Sequence, residues 1–444
     1  MMNRASCCKS LALTPCLLLL ILLAAASARA QDGADVPKLE LGVQFSSLAI
    51  RPPDLFGRGS PSASGLPAQV EPGFGGRITY NFNSHFALEA EGNFFPHRNG
   101  PDFLTGGRLL QAQAGLKAGK RFGKFGLFAK ARPGLVSFSE VVKVGPDEPS
   151  FFFLEVHRKT YFSMDAGGVV EFYPSRRIVT RFDAGDTIIR YGKFSSPFSF
   201  PGTLPQVSPR THNFQLSAGV GFRFFGPASS ESKEDAGDAG PKKSTRKFEL
   251  GAQFTSLTFR TDFFVENFQG GPPSVIKFTH TEPGFGARIT YNLNDRLAVE
   301  AEGNFLPRDT NFVAAVRGSG RVTQGQFGVK MGKRFKSFGL FAKARPGFVS
   351  FGRMAEFLGL NPDPFTTSGS FIIRRKTYFS TDVGGVLEFY PSRRILTRFD
   401  AGDTMIRYDR QLVPAFNAPF TGTDHIPAQT SHNFQFSAGV GFRF

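Results

Sequence analysis

The sequence has no tryptophan, and its only cysteines are Cys7, Cys8 and Cys16. A disulfide framework or a thiolate metal site in the body of the chain is therefore excluded. Acids are scarce beside bases, 36 Asp and Glu against 53 Lys and Arg, for a net charge of +17. Long apolar runs are also missing. The one candidate, Leu17–Ala26, is shorter than the roughly 20 residues a spanning helix needs. Arg4 and Lys9 precede that run, and Ala28-Arg29-Ala30 follows it. This is the pattern of a secretory signal peptide over residues 1–30, with an uncleaved anchor as the alternative. Cys16 lies before the run and after Pro15, which disfavours a lipid-modified cysteine. With no helix-length apolar segment elsewhere, residence in a membrane requires a closed barrel. The mean hydropathy of −0.16 does not oppose this, because lipid-facing and lumen-facing residues alternate in a barrel and average out.

What is present is a repeat. Residues 39–225 recur at 248–444: Phe125–Gly134 returns unchanged as Phe338–Gly347, and Ser217–Phe224 as Ser437–Phe444. The offset between copies drifts. It is 209 for Glu40/Glu249, 211 for Glu89/Glu300, 213 for Arg132/Arg345, 217 for Asp183/Asp400 and 220 for Gln215/Gln435. Each change falls in one of four segments rich in Pro, Gly and Ser, roughly 51–70, 96–106, 140–157 and 191–210, which read as loops. Between them lie three short connections of fixed length, at Asn83-Ser84, Gly123-Lys124 and Pro174–Arg177. Each copy thus predicts eight strands joined alternately by long variable loops and short turns, the up-and-down pattern of an outer-membrane barrel. The predicted organisation is a signal peptide (1–30), a first barrel (38–225), a polar flexible linker (226–245) and a second barrel (246–444). The fold class is all-β, with two tandem eight-stranded transmembrane antiparallel barrels; one sixteen-stranded ring is the alternative.

Period-2 alternation locates the faces. Phe214, Leu216, Ala218, Val220, Phe222 and Phe224 alternate with Asn213, Gln215, Ser217, Gly219, Gly221 and Arg223. A soluble barrel with an apolar interior has the same period. Two features favour lipid outside. The apolar faces are nearly free of charge over about 9–11 residues, the length of a tilted crossing strand. The polar faces carry charges that can neutralise one another in a narrow lumen, where an unpaired charge is costly. In the first copy these are Glu40, Glu89, Glu91, Asp165, Glu171 and Asp183 against Arg77, Lys117, Lys130, Arg132, Arg181 and Arg223. The second repeats them as Glu249, Glu300, Glu302, Asp382, Glu388 and Asp400 against Arg288, Lys330, Lys343, Arg345, Arg398 and Arg443. Arg132 is expected to meet Glu89 or Glu91. The tyrosines fall in four matched pairs, Tyr80/Tyr291, Tyr161/Tyr378, Tyr173/Tyr390 and Tyr191/Tyr408, near strand ends where interfacial aromatic girdles are expected.

With its leader, its alternation of loops and turns, and the last strand His432–Phe444 (HNFQFSAGVGFRF), the chain resembles the small outer-membrane β-barrel family of the outer membrane protein A transmembrane-domain type. The likeness spans nearly all of 38–225 and 247–444, and the duplication departs from it. The resemblance implies the outer membrane of a Gram-negative (diderm) bacterium, contact with outer-membrane lipids, and recognition of Phe442 and Phe444 by the barrel assembly machinery.

Other motifs are weaker. Glu89-Ala90-Glu91 has a spacing usable for acid/base chemistry, but a lumen ion cluster explains it more simply. Asp186 could join a cation site at the rim. His212/His432 is the one histidine pair kept in both copies. Lipid-modifying barrel enzymes resemble this fold and use a rim histidine, yet the expected serine partner is missing and interfacial packing is the simpler reading. The run Pro72-Gly73-Phe74-Gly75-Gly76 lacks the lysine and helix of a phosphate loop; its glycines are expected to relieve crowding. Basic clusters at the turns suit anionic headgroups better than nucleic acid. The sequence therefore predicts a non-enzymatic outer-membrane protein without cofactor or metal. It would act through long extracellular loops on a ligand the sequence does not identify. A porin-like channel and a lipid-modifying enzyme are the alternatives.

Overall fold

A computed structural model of the chain describes residues 36–51, 69–99, 105–144, 154–192, 209–224, 246–265, 274–307, 319–360, 369–414 and 423–444. The expected signal peptide with its three cysteines, the linker and the tips of the long connections lie outside these residues.

The first copy forms β1 (Leu39–Ile50), β2 (Gln69–Asn81), β3 (Phe86–Asn99), β4 (Gly107–Phe122), β5 (Phe125–Val144), β6 (Leu154–Phe172), β7 (Ile178–Arg190) and β8 (Arg210–Phe224). Each strand pairs antiparallel with the next, and β8 closes on β1 with Glu40 opposite Arg223. The second copy forms β9 (Phe248–Val265), β10 (Ser274–Asn292), β11 (Leu297–Leu306), β12 (Ser319–Arg334), β13 (Phe338–Leu360), β14 (Gly369–Phe389), β15 (Ile395–Tyr408) and β18 (Gln429–Arg443). This ring closes by itself, with Glu249 opposite Arg443. Its last long connection contains a small hairpin, β16 (Gln411–Pro414) with β17 (Thr423–Ile426). The structure is two closed eight-stranded barrels, not one ring of sixteen.

Local chemistry sets the three turns. Asn83 Oδ1 accepts hydrogen bonds from the backbone N–H groups of His85 and Phe86, each at 2.8 Å, and Asn294 does the same for Arg296 and Leu297. Such a side chain mimics a backbone turn and folds the chain back within a few residues. Gly123 takes φ +56°, a conformation open to glycine at no steric cost. Ser175 Oγ accepts from the N–H groups of Arg177 and Ile178. The long connections are shorter than the repeat offsets suggested, because the strands run on into them. β5 and β6 stay paired out to Val144 and Leu154, and β13 and β14 out to Leu360 and Gly369.

Side-chain exposure decides which face is outside. Val43, Phe74, Ile78, Phe162 and Phe214 in the first barrel, and Phe285, Ile289, Phe327 and Phe379 in the second, are each more than half exposed. The charged residues of the opposite face are buried. This polar-in, apolar-out arrangement inverts that of a soluble barrel and matches one solvated by lipid.

Candidate functional site: a filled, charge-paired lumen

Because successive side chains on a strand point to opposite faces, the lumen residues of the first barrel share the parity of their strand's charged position, except beyond the irregularity after Phe138 in β5, where Val141 turns inward. From the turn end to the loop end, the lumen consists of three layers.

The first layer is ionic. Arg181 on β7 donates to Glu89 across the barrel on β3, and to Asp183 on its own strand at 2.7–2.8 Å. Arg132 donates to Glu91 and, at 2.6 Å, to Asp165; its Nη1 lies 3.7 Å from Glu89. Lys117 reaches Glu171 at 2.5 Å and Glu89 at 3.4 Å. Lys130 reaches Asp165 at 2.9 Å, and Arg77 reaches Glu40 at 3.2 Å. Arg223 donates instead to the Ser175 carbonyl at 2.7 Å and lies over the Tyr173 ring. The second barrel repeats the layer. Arg398 meets Glu300 and Asp400, Arg345 meets Glu302 and Asp382, Lys330 meets Glu388, and Lys343 meets Asp382. Arg288 lies 3.6 Å from Asp400, and Arg443 pairs with Glu249 at 3.1 Å. Every carboxylate in the layer faces at least one cation, as a site removed from water demands.

The second layer is of neutral amides and hydroxyls. Asn93 donates to Glu91 and Gln111, and accepts from Gln44. Gln111 Nε2 donates to Gln215 Oε1 at 2.9 Å. In a ring of eight, β4 and β8 lie on opposite sides, so this bond spans the barrel. The second barrel has the same bond, Gln324 to Gln435 at 2.9 Å. The glycine-rich run of β2 makes room here: a Cβ on Gly75 would sit 2.1 Å from Asn93 Oδ1, and one on Gly73 would sit 2.5 Å from the Phe95 ring.

The third layer is an apolar cap inside the barrel. Leu48, Ile50, Phe95, Leu109, Val136, Phe138, Tyr161, Ile189 and Tyr191 pack together. Leu257, Phe259, Leu306, Val349, Phe351, Tyr378, Ile406 and Tyr408 do so in the second copy. Here the tyrosine reading is corrected. Tyr161 and Tyr191 stack edge-on inside the cap with centroids 4.8 Å apart, as do Tyr378 and Tyr408. Tyr173, at the turn below β6, donates inward to Glu171 at 2.8 Å; burial and the neighbouring carboxylate push its hydroxyl pKa upward. Only Tyr80 and Tyr291 lie on the outer girdle. Chain parity could have shown this, since Tyr161 is on the same face as Asp165.

Outside the lumen, His212 faces outward, mostly exposed, with Nδ1 2.5 Å from Asp186 Oδ2; His432 and Asp403 repeat the pair at 2.6 Å. Asp186 therefore joins a histidine and not the lumen charges. Phe442 and Phe444 point outward and are exposed, their rings edge-on at 5.1 Å.

The fold has relatives. Residues 17–224 match the family model described as "Outer membrane protein beta-barrel domain". No curated protein matches the chain. Among solved structures, the N-terminal β-barrel domain of Pseudomonas aeruginosa OprF is 12% identical over 42% of this chain and 97% of that one, with a TM-score of 0.22. Neisserial surface protein A is 15% identical over 44% and 97%, with a TM-score of 0.25. Ail, the attachment invasion locus protein of Yersinia pestis, is 13% identical over 43% and 99%, with a TM-score of 0.26. The first copy thus matches an outer-membrane β-barrel domain, and the second copy repeats it in sequence and in fold as a second closed eight-stranded barrel.

Proposed function

We propose that this protein is a non-conducting, non-enzymatic anchor in the outer membrane of a diderm bacterium. Its two barrels hold the long connections and extended hairpins at the cell surface, where they meet an extracellular ligand. The observation that carries the reading is the direct hydrogen bond between opposite walls, Gln111 to Gln215 and Gln324 to Gln435. A water-filled pore leaves no room for such a bond, whereas an eight-stranded interior is just wide enough for side chains to fill. The apolar cap above that layer adds a second barrier to ions.

The test is electrical. Purified protein in planar bilayers should give no discrete conductance steps; regular steps would make the porin reading the better one. Orientation is checked separately. An epitope placed at Ser62 or Phe198, in the long connections, should be reached by antibody on intact cells. One at Ser84, in a short turn, should be reached only after permeabilisation.

A further inference from the structure

An outward side chain of a lone barrel faces lipid. In the first barrel, the outward positions of the described strands that are nevertheless buried are Ser47, Val70, Thr180 and Ala218. The equivalent residues of the second barrel, Ser256, Thr281, Thr397 and Ala438, are buried too. They lie on β1, β2, β7 and β8, and on β9, β10, β15 and β18, so in each barrel they form one contiguous face.

What covers each face is the other barrel. Thr180 Oγ1 lies 3.0 Å from Thr397 Oγ1. The rings of Phe182 and Phe399 stack in parallel with centroids 5.8 Å apart. Phe45 stacks on Phe436 at 4.0 Å, and Ala218, Phe399, Phe436 and Ala438 form one cluster. Thr180 and Thr397 are equivalent positions of the repeat, as are Phe182 and Phe399. Residues that meet their own equivalents lie on a two-fold axis, the mark of an isologous interface. Since the paired residues sit at the same height on strands running the same way, the axis runs along the membrane normal and both barrels insert in the same sense.

We infer that the two barrels form a laterally paired unit within the membrane, through a pseudo-two-fold face centred on Thr180 and Thr397. Hydroxyls explain why the pairing is specific. Lipid tails are as apolar as a phenylalanine ring, so barrels gain little from hiding apolar surface from them; close packing and hydrogen bonds must hold the contact. An outward threonine in hydrocarbon bears an unsatisfied group, and here each threonine finds the other. Small side chains, Ala218 and Ala438, let the walls approach. On the far side of each ring, one strand behaves differently. The outward residues of β4 (Leu110, Ala112, Ala114, Leu116 and Ala118) have become Thr323, Gly325, Phe327, Val329 and Met331 in β12. Nothing there needs to fit a partner.

Cysteine cross-linking in the full chain tests the pairing, since native cysteine occurs only at 7, 8 and 16. Thr180→Cys with Thr397→Cys, oxidised in native outer membranes and then cut at a protease site placed in the 226–245 linker, should leave both halves joined until reduction. The pair Leu116→Cys with Val329→Cys, and each single variant, should fall apart at cutting. Cross-linking of the 180/397 pair no greater than these controls overturns the inference, and so does a product that joins only different chains. If the threonine variants fail to show heat-modifiable mobility, Phe45→Cys with Phe436→Cys is read in the same way.

Discussion

The inner and outer faces of these barrels have diverged to different degrees. Inside, the twelve charges of the first lumen recur with the same residue type in the second, and so do the bridging Gln111/Gln324 and Gln215/Gln435. Outside, on β4 and β12, every mid-strand position differs. The lumen is a closed polar cluster in which each carboxylate and guanidinium has a fixed partner, and changing one group leaves its partner buried with an unpaired charge. Lipid is a fluid solvent without shape, so any apolar residue of moderate size serves there. Outward residues are also retained on the paired face, where Phe45, Ser47, Thr180, Phe182 and Ala218 return as Phe254, Ser256, Thr397, Phe399 and Ala438, and on β5, where Phe125, Leu127, Ala129, Ala131 and Pro133 return unchanged in β13.

Substitutions can break or sharpen that contrast. The largest effect is expected inside. Arg132→Ala removes the cation that faces Glu91, and one of the two that face Asp165, and should destabilise its barrel by about 3–5 kcal/mol, read from urea unfolding of the detergent-solubilised protein. Adding Glu91→Ala should recover part of the loss, whereas additive losses would show that the two residues act independently. Because each ring closes on itself, the second barrel should keep its own transition. A smaller loss is expected from a charge placed on the lipid face. Ala114→Arg, midway along β4, should cost roughly 2–4 kcal/mol in a bilayer, and much less in detergent, where the head group can reach water. Equal cost in both media would mean that Ala114 does not face lipid. The smallest effect should follow from grafting the five β12 residues onto β4, from Leu110→Thr to Ala118→Met. We expect a smaller loss than from either charge change, because lipid has no fixed shape for these side chains to match. A loss as large as that of Arg132→Ala would show that this face packs on something specific.

Much of this architecture was legible in one dimension. Drifting repeat offsets separated loops from turns, and strand parity assigned Arg132, Arg181 and Glu89 to one side. The meeting of Arg132 with Glu91 followed from β3 and β5 both facing a narrow interior. Other features were not legible. The layering of the lumen is hidden because Leu48, Phe95 and Ile189 are apolar like the lipid-facing residues, and only their parity turns them inward. The tyrosines were misplaced for the same reason: position near a strand end was weighed above parity. Extension of β5 and β13 beyond the expected boundaries was hidden because Pro and Gly nearby read as loop, while the hairpin ladder continued.

Alternation with period two, the signs of the lumen charges and the turn chemistry at Asn83, Gly123 and Ser175 are local properties, and the sequence alone determined them. They specify strands, faces and hairpins, and so a chain that must close its edges in lipid. Whether those edges close as two rings or one was decided only by the tertiary structure. Closure joins β1 to β8 across some 180 residues, a pairing that no local pattern encodes. The same holds for the bonds from Gln111 to Gln215 and from Thr180 to Thr397. Each joins residues more than a hundred positions apart, and the sequence supplies both partners without stating that the fold brings them together.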